Sequence, residues 1–217
     1  IAGSGVGTIK NCYALADVTA AGNSAGGIAG NAFYVTIENC YYSGNVSEGS
    51  SVGGIAGTAL GGTIQNCVSL AESVTGGDLV NRIVGYVGSN ANVTLTNNYS
   101  YNRTKLVIGG NTTYPIGGAG NNVNGADVYI SNGRVMKDVP NQTLFDWDAN
   151  GFTKANGWSI SGETGLPYLR EDITYKLNLS ALPEEPVPTK KRSGGGSTAP
   201  QTYTAQFDTN GGSAVDK

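Results

Sequence analysis

The sequence predicts an all-β chain: a parallel, right-handed β-solenoid. Three observations carry this. The segment TIENCYYSGNV from Thr36 recurs as TIKNCYALADV from Thr8, as TIQNCVSLAESV from Thr63, and in worn form as TLTNNYSYNRTKL from Thr94. A second element, GGIAG, recurs between copies at Gly26 to Gly30 and Gly53 to Gly57. Composition agrees: 34 of 217 residues are glycine and only 13% are charged, too few helix formers for a bundle and no every-third-residue glycine for a collagen. One copy of about 27 residues cannot bury a core alone, whereas stacked copies cover one another. The expected handedness follows the strong bias of parallel crossovers, and about four to six coils are expected.

Within each copy Ile9, Ile37, Ile64 and Leu95 align, and the next residue is variable and polar: Lys10, Glu38, Gln65, Thr96. An aliphatic site beside a variable polar one reads as a strand with a buried and a wet face. Asn11, Asn39, Asn66 and Asn97 follow, then Cys12, Cys40, Cys67 and Asn98. Stacking at about 4.8 Å turns these columns into isoleucine, asparagine and cysteine ladders. A second strand carries Val18, Val46, Val74 and Leu106. GGIAG supplies a third apolar position at Ile28, Ile55 and Ile83, with glycines that permit positive φ or close backbone approach at a corner. The period decays after Val107; GGAG at Gly117 to Gly120 reads as a last corner and ADVYIS from Ala126 as a last strand.

Four segments are expected: solenoid over 1–132, an end cap over 133–179, a Pro/Gly/Ser-rich linker over 180–202, and the truncated start of a second β-module over 203–217. The cap segment holds both tryptophans and the methionine. Phe145, Trp147, Phe152, Trp158, Leu166 and Tyr168 are expected to plug the last coil's open edge, which a solenoid must cover. The tail YTAQFDTNGGSAV alternates apolar and polar residues up to an Asn-Gly turn, half a hairpin.

Several function classes fall away. There is no histidine, which removes Ser-His-Asp and Cys-His catalysis and His-bearing zinc sites from this segment. A net charge of −3 and a pI of about 4.9 leave no basic patch for nucleic acid. No apolar run is long enough to span a bilayer. The acids are scattered among turns or lie in the linker, as Glu184 and Glu185 do, so no catalytic pair is evident and no enzyme is expected.

Some side chains invite a functional and a bland reading. Tyr13, Tyr41, Tyr42 and Tyr99 (with Tyr101) form a strip that could stack on sugars or simply cover a sheet. Asp146, Asp148, Asn150 and Gly151 spell the opening of a calcium loop, without the glutamate that completes one; an ordinary turn is the competing reading. Thr8, Thr36, Thr63 and Thr94 could form a row that binds ice or a crystalline polysaccharide, or a plain hydroxyl ladder. The cysteines, one coil apart, read as a reduced buried ladder rather than a disulfide or a metal site. Neither a cofactor nor a metal is expected.

The combination of TIxNCYxxGxV with GGIAG resembles the GLUG-motif repeat of large bacterial surface proteins, among them immunoglobulin A proteases and adhesins. The likeness runs from Ile1 to Val87 and weakens through Gly120. The ending WSISGETGLPYLR looks like the close of such arrays, and YTAQFDTNGGSAV is similar to the start of the Listeria–Bacteroides repeat. The resemblance implies an extracellular, cell-surface segment of a longer protein, monomeric, acting as adhesin or stalk, with a host or bacterial glycan or protein as partner. A carbohydrate-binding or carbohydrate-active β-helix using the tyrosine strip is the alternative.

Overall fold

A computed structural model describes residues 2–169, apart from 90, 116, 139 and 163. The expected linker and truncated module, 180–202 and 203–217, lie outside the described residues, as does the end of the expected cap. The described chain is a parallel β-solenoid of about four turns, more than half of it strand.

Each coil has four faces. The long face stacks Ala2–Lys10, Ala29–Glu38 and Ala56–Gln65, the last paired with both Val84–Val87 and Val93–Thr96. The tyrosine face stacks Tyr13–Ala14, Tyr41–Tyr42, Val68–Ser69, Tyr99–Tyr101 and Ala126–Ser131. The valine face stacks Val18–Thr19, Val46–Ser47, Ser73–Gly76 and Lys105–Ile108. A short face stacks Ser24–Gly26, Ser51–Gly53 and Leu79–Asn81.

The predicted ladders are in register. Ile9, Ile37, Ile64 and Leu95 pair in sequence, as do Val18, Val46, Val74 and Leu106. Ile28, Ile55 and Ile83 are fully buried, and each N–H donates to the equivalent carbonyl of the next coil, Ile83 to Val123. Val123 is therefore the last corner, not the GGAG stretch. GGIAG uses its glycines for close approach: a Cβ on Gly27 would stand 2.2 Å from the Tyr42 ring, and none of its glycines has positive φ.

Positive φ falls instead on the asparagines. Asn11, Asn39, Asn66 and Asn97 sit at φ 53°, 51°, 52° and 55°, in the left-handed region that asparagine tolerates best among side-chain-bearing residues. Their amides form a chain, each Nδ2 donating to the preceding Oδ1: Asn39 to Asn11 at 3.3 Å, Asn66 to Asn39 at 3.2 Å and Asn97 to Asn66 at 2.8 Å. One residue type thus makes the corner and links the coils. In the fourth coil Asn98 takes the cysteine position; its amide accepts from Cys67 N–H and donates to Ile64 C=O while fully buried.

Arg82 occupies the slot of Gly27 and Gly54. Its buried guanidinium lies 2.7 Å from Asp127 and donates to the carbonyls of Tyr101, Gly117 and Gly125. Here the regular coil gives out. Asn111–Thr113 turns back antiparallel on the valine face, and Ala126–Ser131 continues into the antiparallel strand Arg134–Asp138 on the tyrosine face.

The cap is where expectation and structure part. Phe145, Trp147, Phe152 and Trp158 are buried as expected, but in a second core of their own with Tyr41, Val68, Leu70, Val128 and Val135. They lie along the flank of the solenoid, over the outer side of the tyrosine face, and do not plug its end. Leu166 is half-buried and Tyr168 is exposed. Two causes account for this. The far end is already met by the segment around Val123, which packs on the solenoid core. The outward row Tyr13, Tyr41, Val68 and Tyr99 is an apolar stripe whose burial is worth about 25 cal/mol per Å².

Candidate functional site

The tyrosines singled out by sequence do not form an exposed strip. Tyr42 points inward, fully buried, and its hydroxyl donates to Ala16 and Asn45 carbonyls at 3.0 and 2.8 Å. Tyr13, Tyr41 and Tyr99 point outward, into the side-packed unit. Tyr13 and Tyr41 stack at 5.2 Å with rings 2° apart; Trp158 closes on both, at 5.9 and 6.1 Å. Tyr99 meets Phe145 edge-on at 4.9 Å. The Tyr41 hydroxyl donates to Pro167 C=O at 2.8 Å in a buried site. Burial pushes the phenols of Tyr41 and Tyr99 up, and carries Tyr42 to about 12, with Asp17 adding to the effect. Tyr41 and Tyr42 are buried and shielded from any ligand, whereas Tyr13 and Tyr99 are half-buried.

The candidate calcium loop is a docking turn. Asn150 is buried; its Oδ1 accepts from Asn97 at 2.9 Å and its Nδ2 donates to Asp146 C=O at 2.6 Å. The side-packed unit thereby branches from the end of the asparagine chain: Asn97 Nδ2 serves both Asn66 and Asn150, while Asn97 Oδ1 accepts from the Tyr99 hydroxyl. Asp146 Oδ1 accepts from Ala149 N–H, an ordinary turn bond. A Cβ on Gly151 would stand 2.2 Å from Asn39 Oδ1, so glycine is required here by contact as well as by its φ of 85°. Among the described residues no three Cys, Asp or Glu side chains are gathered to hold a metal. Cys12, Cys40 and Cys67 are free thiols. The Cys12 thiol is held well above its usual range, chiefly by its hydrogen bond with Cys40 and then by burial, the opposite of a reactive thiolate.

A shallow recess of about 220 Å³ opens on the side-packed unit, among Arg134, Leu144, Asp146, Trp147, Asp148 and Ile160. It is small and open, and Asp146 is committed to its turn.

What remains is the outer side of the long face. Thr8, Thr36, Thr63 and Thr94 are in register there, as are Lys10, Glu38, Gln65 and Thr96. Beside them the sequence reading missed an apolar group. Val6 is 78% exposed, Tyr34 77% and Phe33 38%; Phe33 pairs with Leu60 on the next coil. Register shifts between Gly5 and Gly7, so Val6 alone opposes Phe33 and Tyr34, a bulge that re-aims side chains. Tyr34 sits at φ 50°. A legible signal existed: Tyr34 stands where the next copy has Gly61, itself at φ 101°, just as Arg82 stands in a glycine slot.

No family model matches this chain, and none of the curated proteins does. Among solved structures the chain is similar to a candidate immunoglobulin A1 protease from Bacteroides ovatus, with 21% identity and a TM-score of 0.48. The likeness covers 75% of this chain, which spans 57% of that one.

Proposed function

We propose that this chain is a non-catalytic segment of a larger bacterial cell-surface protein of the GLUG-repeat kind, serving as adhesin or stalk, monomeric and outside the cell. One observation carries the reading. The C-terminal unit is strapped along the flank of the solenoid and tied to it by the amide chain through Asn97 and Asn150. The described residues therefore form a braced stack of about four coils, a geometry suited to spacing and display. The phenols and thiols of raised pKa serve packing and hydrogen bonding, not proton transfer. The motif likeness supplies the cellular setting. The carbohydrate-binding alternative through Tyr13, Tyr41, Tyr42 and Tyr99 is weakened, because Tyr41 and Tyr42 are buried and only Tyr13 and Tyr99 keep partial exposure.

The test is labelling of intact source cells with antibodies raised against this chain. Equal signal from intact and permeabilised cells is the expected result. Signal that requires permeabilisation ends the surface reading.

A further inference from the structure

We infer that the outer side of the long face is a binding platform for an uncharged, extended polysaccharide, centred on the Tyr34 ring. The inference rests on the surface-adhesin reading and deepens it by assigning the ligand class. Three features of the face point the same way.

The first is the ring and what holds it. A tyrosine at φ 50° pays about 1–2 kcal/mol for left-handed backbone, and such strain gathers at binding and catalytic sites. Burial does not repay it, since the side chain is 77% exposed. The ring lies against Gly61: a Cβ there would stand 2.6 Å from Cδ1 and 2.8 Å from Cε1. The glycine on the adjacent coil thus makes room for the ring to lie on the wall of the solenoid. Phe33, Val6 and Leu60 extend the apolar surface along the stack. A flat apolar patch of this kind suits the C–H face of a sugar ring.

The second is what flanks the ring. Two residues further along each strand, roughly 7 Å away, runs the threonine row, followed by Lys10, Glu38, Gln65 and Thr96. Hydroxyls and an amide recognise hydroxyls. The only charged side chains on the long-face strands are one lysine and one glutamate in register with each other, so the face offers no net charge to nucleic acid, an acidic glycan or a basic peptide.

The third is periodicity. The threonine row repeats every ~4.8 Å along the stack, so it presents one kind of hydroxyl in step to a polymer that itself repeats.

The substitution that isolates the ring is Tyr34→Gly. It places at this site the residue the next coil already has, in a backbone conformation glycine favours, so the fold is retained. The full chain, as wild type and as Tyr34→Gly and Thr36→Ala variants, is tested for retention on insoluble β-1,4-glucan and β-1,4-xylan and on a neutral-glycan array, with folding checked by circular dichroism. Expected are retention of the wild type on at least one neutral polysaccharide, a loss of about tenfold or more with Tyr34→Gly, and a smaller loss with Thr36→Ala. Absence of wild-type retention on all of them overturns the proposal, as does retention that Tyr34→Gly leaves unchanged. Binding to protein-coated surfaces alone, or to acidic glycans alone, overturns it too. Each of these failures leaves the surface labelling of intact cells to stand or fall by itself.

Discussion

Two outer faces of this solenoid carry aromatic side chains, and they have met opposite fates. On the tyrosine face Tyr13, Tyr41 and Tyr99 sit beneath Phe145, Trp147, Phe152 and Trp158. On the long face Phe33 and Tyr34 stand in water. Both sets point away from the solenoid core, so alternation along the strand does not distinguish them. The difference lies in what else in the chain can reach each face. The hairpin from Ala126 continues the tyrosine sheet and delivers the following residues directly over it. An outward position on a solenoid is only provisionally a solvent position.

Trp158→Ala should erase the contrast between the two faces most completely. Trp158 is 1% exposed and touches Tyr13, Tyr41 and Phe152. Its loss should cost about 3–5 kcal/mol in denaturant unfolding and expose the tyrosine strip to a hydrophobic dye. Because the buried Trp158 Nε1 has no partner among the described residues, Trp158→Phe should cost distinctly less. An alanine variant as stable as wild type would show that the side-packed unit is not holding this face.

Asn150→Ala cuts the tie between that unit and the amide chain. It removes one of the two bonds the Asn97 amide donates and the bond to Asp146 C=O, and a loss of about 1–2 kcal/mol is expected, with faster amide exchange in 145–158 than in the coils. Uniform exchange would mean that the unit and the solenoid open together.

Tyr41→Phe removes only the buried bond to Pro167 C=O, for about 1 kcal/mol, and should also alter the response to alkali. The folded-state pKa of Tyr41 is raised from 10 by burial first and Tyr13 second, and that of Tyr42 to about 12. A raised folded pKa means stability that is whole below pH 10 and declines as pH climbs through the folded values. Unfolding should therefore set in above pH 10 and continue through about 12. Tyr41→Phe should make that decline shallower; an unchanged slope would remove Tyr41 from the account.

The smallest effect is expected on the open face. Tyr34→Gly should leave stability within about 1 kcal/mol of wild type, in the direction of a gain, because relief of left-handed strain opposes the added entropy of the unfolded chain. A loss as large as that of Trp158→Ala would mean that the two faces are not different in kind.

Much of the fold was legible because its causes are local. Asn39 shows how: a left-handed corner favours asparagine, stacking requires the next amide above it, and both facts sit in one recurring letter. Tyr41 and Tyr42 show the limit. They are adjacent and of one type, yet one fills the coil's interior and the other meets Trp158; sequence could say that they face opposite ways, not that both would be covered. Tyr34 was passed over for a different reason. It lies between the two recurring motifs, and only alignment with Gly61 marks it as a side chain placed in a glycine conformation.

The period, the columns that stack and the alternation along regular strands are written in the sequence; the bulge opposite Val6 that turns both Phe33 and Tyr34 outward is not. The legible features follow from chain geometry within one copy and the translation that repeats it. Long-range packing chose which outward face stays in solvent. That choice turned on contacts such as Tyr41 with Pro167, 126 residues apart, and on apolar burial, which is non-directional and rewards any surface the chain can bring to bear.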